Sequence, residues 1–244
     1  MDLVVLALGR SLADLRVGRV WLYLLLPALA ALLLAVVLGF SALGWLIAQL
    51  LELPPMTLLV AWGLVWLAQL LAWLGGWMAL FALAYLCAML IAAVFIMPLL
   101  LKHLAEGEYR DLAAMGRDSF VAATVNSLGA AMLFIIAWLV TIPLWLIPGM
   151  SLLVPLLLMA WLNRRTFAYD ALAMHATDAE WASLRAQYRW PLFMLGLVMA
   201  LLAHVPIIGL LVPTLAALSF VHFGLEALRR QRGGAIVSIQ GERS

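Results

Sequence analysis

Apolar residues run along this chain in long blocks rather than in short amphipathic periods. Trp21–Leu101, Gly129–Leu162 and Pro191–Leu228 contain no lysine or arginine. All 14 basic residues fall in the four segments around those blocks. The first segment holds Arg10, Arg16 and Arg19, and the second Lys102, Arg110 and Arg117. The third holds Arg164, Arg165, Arg185 and Arg189, and the last Arg229, Arg230, Arg232 and Arg243. Short flanks rich in Lys and Arg are retained on the cytoplasmic side. Placing all four inside requires each apolar block to enter the bilayer and return.

The first block breaks at Glu52-Leu-Pro-Pro55, with helices expected over Trp21–Leu51 and Met56–Leu101. Both exceed the ~20 residues a span needs. The surplus must tilt, kink or project, and Pro27, Gly75-Gly76 and Pro98 are the expected kink sites. The second block turns at Pro148-Gly149, and its return arm, Met150–Leu162, has 13 residues. The third turns over Pro206–Gly209 after a 15-residue arm, Pro191–Val205. Such arms reach roughly 20–23 Å, short of a hydrocarbon core of about 30 Å. They predict hairpins that turn inside the membrane.

The expected fold is therefore an all-α integral membrane protein. It has two long transmembrane helices, two re-entrant (hemi-penetrating) helical hairpins and interfacial amphipathic helices. A single membrane domain covers 1–244. An interfacial helix (1–20) precedes the transmembrane hairpin (21–101) and a cytoplasmic or interfacial stretch (102–128). A re-entrant hairpin (129–162), an interfacial segment (163–190), a second re-entrant hairpin (191–228) and a cytoplasmic tail (229–244) follow.

The two short hairpins share a pattern. Pro148-Gly-Met-Ser-Leu-Leu-Val-Pro155 aligns with Pro206-Ile-Ile-Gly-Leu-Leu-Val-Pro213, as an internal repeat would. Paired repeats with broken helices are frequent in membrane transporters. In the polar segments, Leu8, Leu12, Leu15 and Arg19 follow helical spacing. Thr177 followed by Glu180 makes a capping box. Trp21, Trp181 and Trp190 sit where aromatic residues favour the membrane boundary. Trp62, Trp66, Trp73 and Trp77 read as one helix stripe used for packing or lipid contact.

Composition agrees with the pattern and removes other classes. Hydrophobic residues make up 68% of the chain and charged ones 11%, against about 25% in soluble domains. The net charge of +2 includes no basic run of the kind that tracks nucleic acid. Cys87 is the single cysteine, so no internal disulfide forms. Asp2 and a short apolar run before Arg10 make a poor secretory signal, so the N-terminus is expected to be retained.

Catalytic patterns are nearly absent, and neither an enzyme nor a cofactor is expected. Asp170, His175 and Asp178 match no established metal spacing. His204 is an ionisable residue near the apex of the third block, whereas His222 lies near its base and reads as interfacial. Glu226 is expected to pair with Arg230 one turn later. What remains is binding by backbone. Each return arm starts as a half-helix whose free N–H groups suit an anion. Gly149, Met150 and Ser151 supply one such site, and Ile207, Ile208 and Gly209 the other. Arg16 and Arg19 stand at the cytoplasmic mouth of the first crossing.

The order of these features resembles the CysZ sulfate-permease family, also described as the etoposide-induced-protein domain. The resemblance runs over Arg10–Arg230. It rests on Leu25-Leu26-Pro27 after a basic stretch, Met97-Pro98 with Ala105-Glu106, and Ile147-Pro-Gly149. Tyr169-Asp170 with His175, Val205-Pro-Ile-Ile-Gly209 and Arg229-Arg230 complete it. The resemblance implies a bacterial inner-membrane protein with two long transmembrane helices and two hemi-penetrating hairpins, a homo-oligomer that passes sulfate inward; the charge pattern adds cytoplasmic termini. The chain departs from the family where Trp21-Leu22 replaces paired arginines, and where Ala28–Ala31 and Leu99-Leu100 replace asparagines. The alternative is a non-transporting membrane scaffold of the same domain family.

Overall fold

The structure is a computed structural model that describes residues 2–116, 120–147, 149–205 and 208–241. The side chains of Arg19, Phe120, Leu146 and residues 234–241 are outside the description. So are Arg117, Pro148, Pro206, Ile207 and Arg243, which the sequence singled out.

The regular elements among the described residues are helices, and four stretches are long and apolar enough to cross a membrane. The first is α2 (Gly18–Ser41), followed by α3 (Leu43–Glu52), so the expected single helix is interrupted at Ala42. After α4 (Met56–Ala61), α5 (Val65–Ile91) returns antiparallel to α2. Ala31 and Ala35 meet Ala84 and Ala88 in a small buried cluster between them. Trp62 precedes α5 and Gly63 has φ 78°, so the tryptophan stripe does not lie on one continuous helix.

A π-helical turn, Ala92–Ile96, joins α5 to α6 (Met97–Glu106). It sits where Pro98 was expected to disturb the helix. Proline has no N–H for the carbonyl four residues back, and the Met97 N–H reaches instead to the Ala92 carbonyl.

The next pair departs from its expected bounds. Helix α7 (Phe120–Val140) starts nine residues before Gly129 (129 − 120), and Val121–Val140 is long enough to cross. After a 3₁₀ turn at Ile142–Leu146, α8 (Met150–Ala173) passes through Asn163-Arg164-Arg165 without ending. Asn163 does not break it because the side chain is fully buried and bonded. It accepts from the Tyr85 hydroxyl (3.2 Å) and donates to the Gly196 carbonyl (3.4 Å).

The capping box at Thr177 and Glu180 starts α9 (Asp178–Gln187) as the sequence indicated. A bend of 74° separates it from α10 (Arg189–Ala203), whose 15 residues match the short arm expected there. Helix α10 crosses α8 where Gly196 lies against Ala160. A Cβ at that position would stand 2.5 Å from the Ala160 carbonyl oxygen.

The final helix, α11 (Ile208–Gly241), is the centre of the bundle. Nearly every residue from Val212 to Leu228 is buried, and α1 (Asp2–Asp14), α2, α5, α8 and α10 pack on it. Helix α1 reaches it through Leu3, Val4, Ala7 and Ser11. The Ser219 hydroxyl donates to Ser11 at 2.9 Å, a close approach that the larger Leu8, Leu12 and Leu15 would not permit. Those leucines lie beside or away from the contact, with Leu12 62% exposed. The two aligned hairpins also match in local form: Pro155 and Pro213 each occupy the sixth position of their helix.

Candidate anion-binding site

The expected apex sites are less open than free helix ends would be. Gly149 caps α8 with φ 84°, a conformation that favours glycine. The Met150 N–H already donates to Ile147 O at 3.0 Å, and the Gly209 N–H to Val205 O at 2.8 Å. Pro155 and Pro213 have no N–H to offer the carbonyls of Ser151 and Gly209 four residues back. Ser151 is exposed. Gly209 lines a mostly apolar cavity of about 490 Å³ with Tyr85 and His204, whose Nδ1–H donates to Ala200 O at 2.7 Å.

Arg16 is exposed in the turn between α1 and α2, which Trp21 closes by donating to Leu15 O at 2.8 Å. The neighbouring Asp14 contacts His222, thirteen residues along α11 from Gly209 (222 − 209), or roughly 20 Å of helix. The structure thus does not bring Arg16 together with Gly209.

It does bring the basic segments together at one end. Arg10 pairs with Glu108 and Glu226, both at 2.9 Å. Arg229 pairs with Asp111, and Arg230 with Asp2 and, as expected, with Glu226. Arg232 grips Glu180 through two bonds and also holds the carbonyls of Ala113 and His175. His222 is fully buried among these groups. Its Nε2–H donates to Asp14 at 2.8 Å, and its Nδ1 accepts from the Tyr109 hydroxyl at 3.0 Å. Burial holds the Tyr109 phenol above its ordinary range, so it remains a proton donor. The sequence could not reveal this arrangement, because its partners lie more than a hundred residues apart.

A second cationic cluster is built differently. Arg164 and Arg165 leave α8, Arg185 leaves α9, and Arg189 begins α10. All four line one open cleft of about 610 Å³ with Trp181 and Leu192. Among the described residues, none of the four forms an ion pair. Arg164 is half-buried, and burial, followed by the charges of Arg185, Arg189 and Arg165, lowers its pKa. Arg185 and Arg189 stand on either side of the break between α9 and α10. Their meeting with Arg164 depends on the 74° bend, which the sequence does not state.

Beneath this region Asp170 is buried against α7, accepting from Ser127 at 3.3 Å while its Oδ1 has no partner among the described residues. Burial pushes its carboxyl up to about 7. No group of three His, Cys, Asp or Glu among the described residues is placed to hold a metal ion.

Four membrane-length helices and cations gathered at one end define a multi-pass helical membrane protein. The chain belongs to the family described as Sulfate transporter CysZ/Etoposide-induced protein 2.4, whose profile matches residues 7–213. That span takes in everything from the middle of α1 to Pro213 in α11. No curated protein and no solved structure matches the chain.

Proposed function

We propose that this protein moves a small inorganic anion, sulfate first, across the bacterial inner membrane. The observation that carries the reading is the family match over 7–213. In this reading both termini are cytoplasmic, and the ion-paired end made by α1, the segment after α6, α9 and the end of α11 faces the cytoplasm. The α2–α3 and α5–α6 stretches cross fully. The pairs α7–α8 and α10–α11 enter from the basic face and return to it, in keeping with the ~22 Å length of the 15-residue α10. Arg16 and Arg19 draw the anion to the mouth of the first crossing. At the apices the backbone of Gly149, Met150, Ser151, Ile207, Ile208 and Gly209 takes it up. The chain acts as a homo-oligomer, without cofactor or enzymatic step, and its other partner is the lipid bilayer.

Uptake of radiolabelled sulfate into proteoliposomes tests this. Flux above that of empty vesicles, lowered in Arg19→Glu and Arg16→Glu variants that still insert, is the expected result. Flux no greater than in empty vesicles would leave a non-transporting membrane scaffold as the reading.

A further inference from the structure

We propose that the cleft between α8, α9 and α10 binds a tetrahedral oxyanion group, sulfate or phosphate, carried by a free ion or by an anionic lipid headgroup. Two sets of arginines at one end of the molecule differ in their partners. Arg10, Arg229, Arg230 and Arg232 each hold at least one carboxylate. Arg164, Arg165, Arg185 and Arg189 line a shared space, and among the described residues none of them forms an ion pair, Arg165 acting on Asp170 only at longer range.

Retention of positive charge on one side of a membrane explains which face these residues occupy. It does not explain why three helices aim them into the same cleft, since isolated arginines would extend separately toward water. Burial first, and then the neighbouring cations, disfavour the charged form of Arg164. A bound anion reverses the sign of that interaction.

The cleft also has room. Ala182 and Ala186 lie on its α9 wall, so the guanidinium groups border about 610 Å³ of open space, within the roughly 300–1,000 Å³ usual for ligand sites. A planar guanidinium donates paired N–H bonds to adjacent oxygens of a tetrahedral anion, a geometry that chloride does not offer. Trp181 lines the cleft, and Trp190, under the Arg189 guanidinium at 5.4 Å, is exposed beside it. These boundary residues put the cleft at headgroup level, where a soluble ion and a lipid phosphate are both within reach. The site uses neither Arg16 nor the helix apices, so its binding stands apart from the transport reading.

The test uses the full chain, purified in detergent and stripped of lipid. Its unfolding temperature is followed against sodium sulfate and sodium phosphate, with ionic strength held constant by sodium chloride. A parallel titration uses phosphatidylglycerol against phosphatidylcholine in mixed micelles. The expected result is a saturable stabilisation whose midpoint moves at least tenfold to higher concentration in Arg164→Gln and in Arg185→Gln. Lys102→Gln, outside the cleft, should leave the midpoint where it was. Saturation by the inorganic salts identifies a free oxyanion, and saturation by phosphatidylglycerol alone identifies a headgroup. Either supports the site. It is overturned if none of the three saturates beyond its control, or if both arginine variants respond as the native chain does. Arg185 is exposed, so its variant tests charge without disturbing the core.

Discussion

Replacing Arg232 with alanine should undock α9 from the bundle without unfolding α9 itself. The guanidinium of Arg232 donates to both carboxylate oxygens of Glu180, at 2.7 and 2.9 Å, and to the carbonyls of His175 and Ala113, at 2.7 and 2.8 Å. It therefore ties α11 to α9, to the turn before α9 and to the segment after α6. Glu180 would keep its bond from the Thr177 N–H at 2.8 Å, so the cap of α9 survives. The side chains are only 13% and 20% exposed. Their loss should cost about 2–4 kcal/mol, between the surface-pair value of under 1 and the 3–5 of a fully buried pair.

The pH dependence gives a second reading. Arg232 is the largest cause holding the Glu180 carboxyl near 2, below its ordinary 4.5, with further help from Thr177. A depressed carboxylate stabilises the fold fully above its unfolded value and loses that contribution as pH falls toward the folded one. The native chain should then exceed Arg232→Ala in unfolding temperature by a constant margin from pH 5 to 8. The margin should close as pH falls from about 4.5 toward 2. Amide exchange over Asp178–Gln187 at neutral pH would quicken in the variant. Equal exchange and equal unfolding temperatures, or a margin that persists undiminished at the acid end, would refute the reasoning.

Asp170 should behave in the opposite sense. Its folded carboxyl is raised to about 7 from an ordinary 3.8, so stability falls as pH rises from about 4 to about 7, by on the order of 4 kcal/mol. Asp170→Asn should remove that slope in thermal unfolding, and an unchanged slope would assign it elsewhere. Gly196→Ala should force α8 and α10 apart at Ala160 and destabilise by ~1–3 kcal/mol, read by thermal unfolding in detergent. In a Cys87→Ser background, single cysteines at Glu52, Pro148 and Pro206 are expected to react with an impermeant outside reagent only at Glu52. Reaction at all three would make both hairpins full crossings and remove the buried apices from the anion path.

What the sequence revealed here was governed by local rules or by the bilayer. The apolar blocks, the Thr177 cap, the Glu226–Arg230 pair and the short α10 depend on neighbours or on membrane thickness. The disturbance before Pro98 was legible too, although only the structure shows that it takes the form of a π turn. The continuation of α8 past Arg165 was not legible, because a polar residue ends a membrane helix only when its hydrogen bonds go unmet. Asn163 finds its partners on α5 and α10. The contact face of α1 was missed for a related reason. Leu8, Leu12 and Leu15 are more hydrophobic, but Ala7 and Ser11 are small enough to let two backbones approach. The arginine cleft was visible as four cations and invisible as one place, since three helix directions and a bend create it.

The central position of α11 also bears on how the chain is made. It is synthesised after every helix that rests on it. Until it emerges, Ser11 lacks the hydroxyl of Ser219, the Tyr23 carbonyl lacks Thr214, and Asp14 lacks His222. The earlier segments must therefore leave the insertion machinery with only the contacts they make to one another, such as those of Asn163 with Tyr85 and Gly196. A ribosome stalled before Ile208 would deliver a chain that is inserted but unassembled. Such a chain is the kind of substrate a membrane quality-control protease removes.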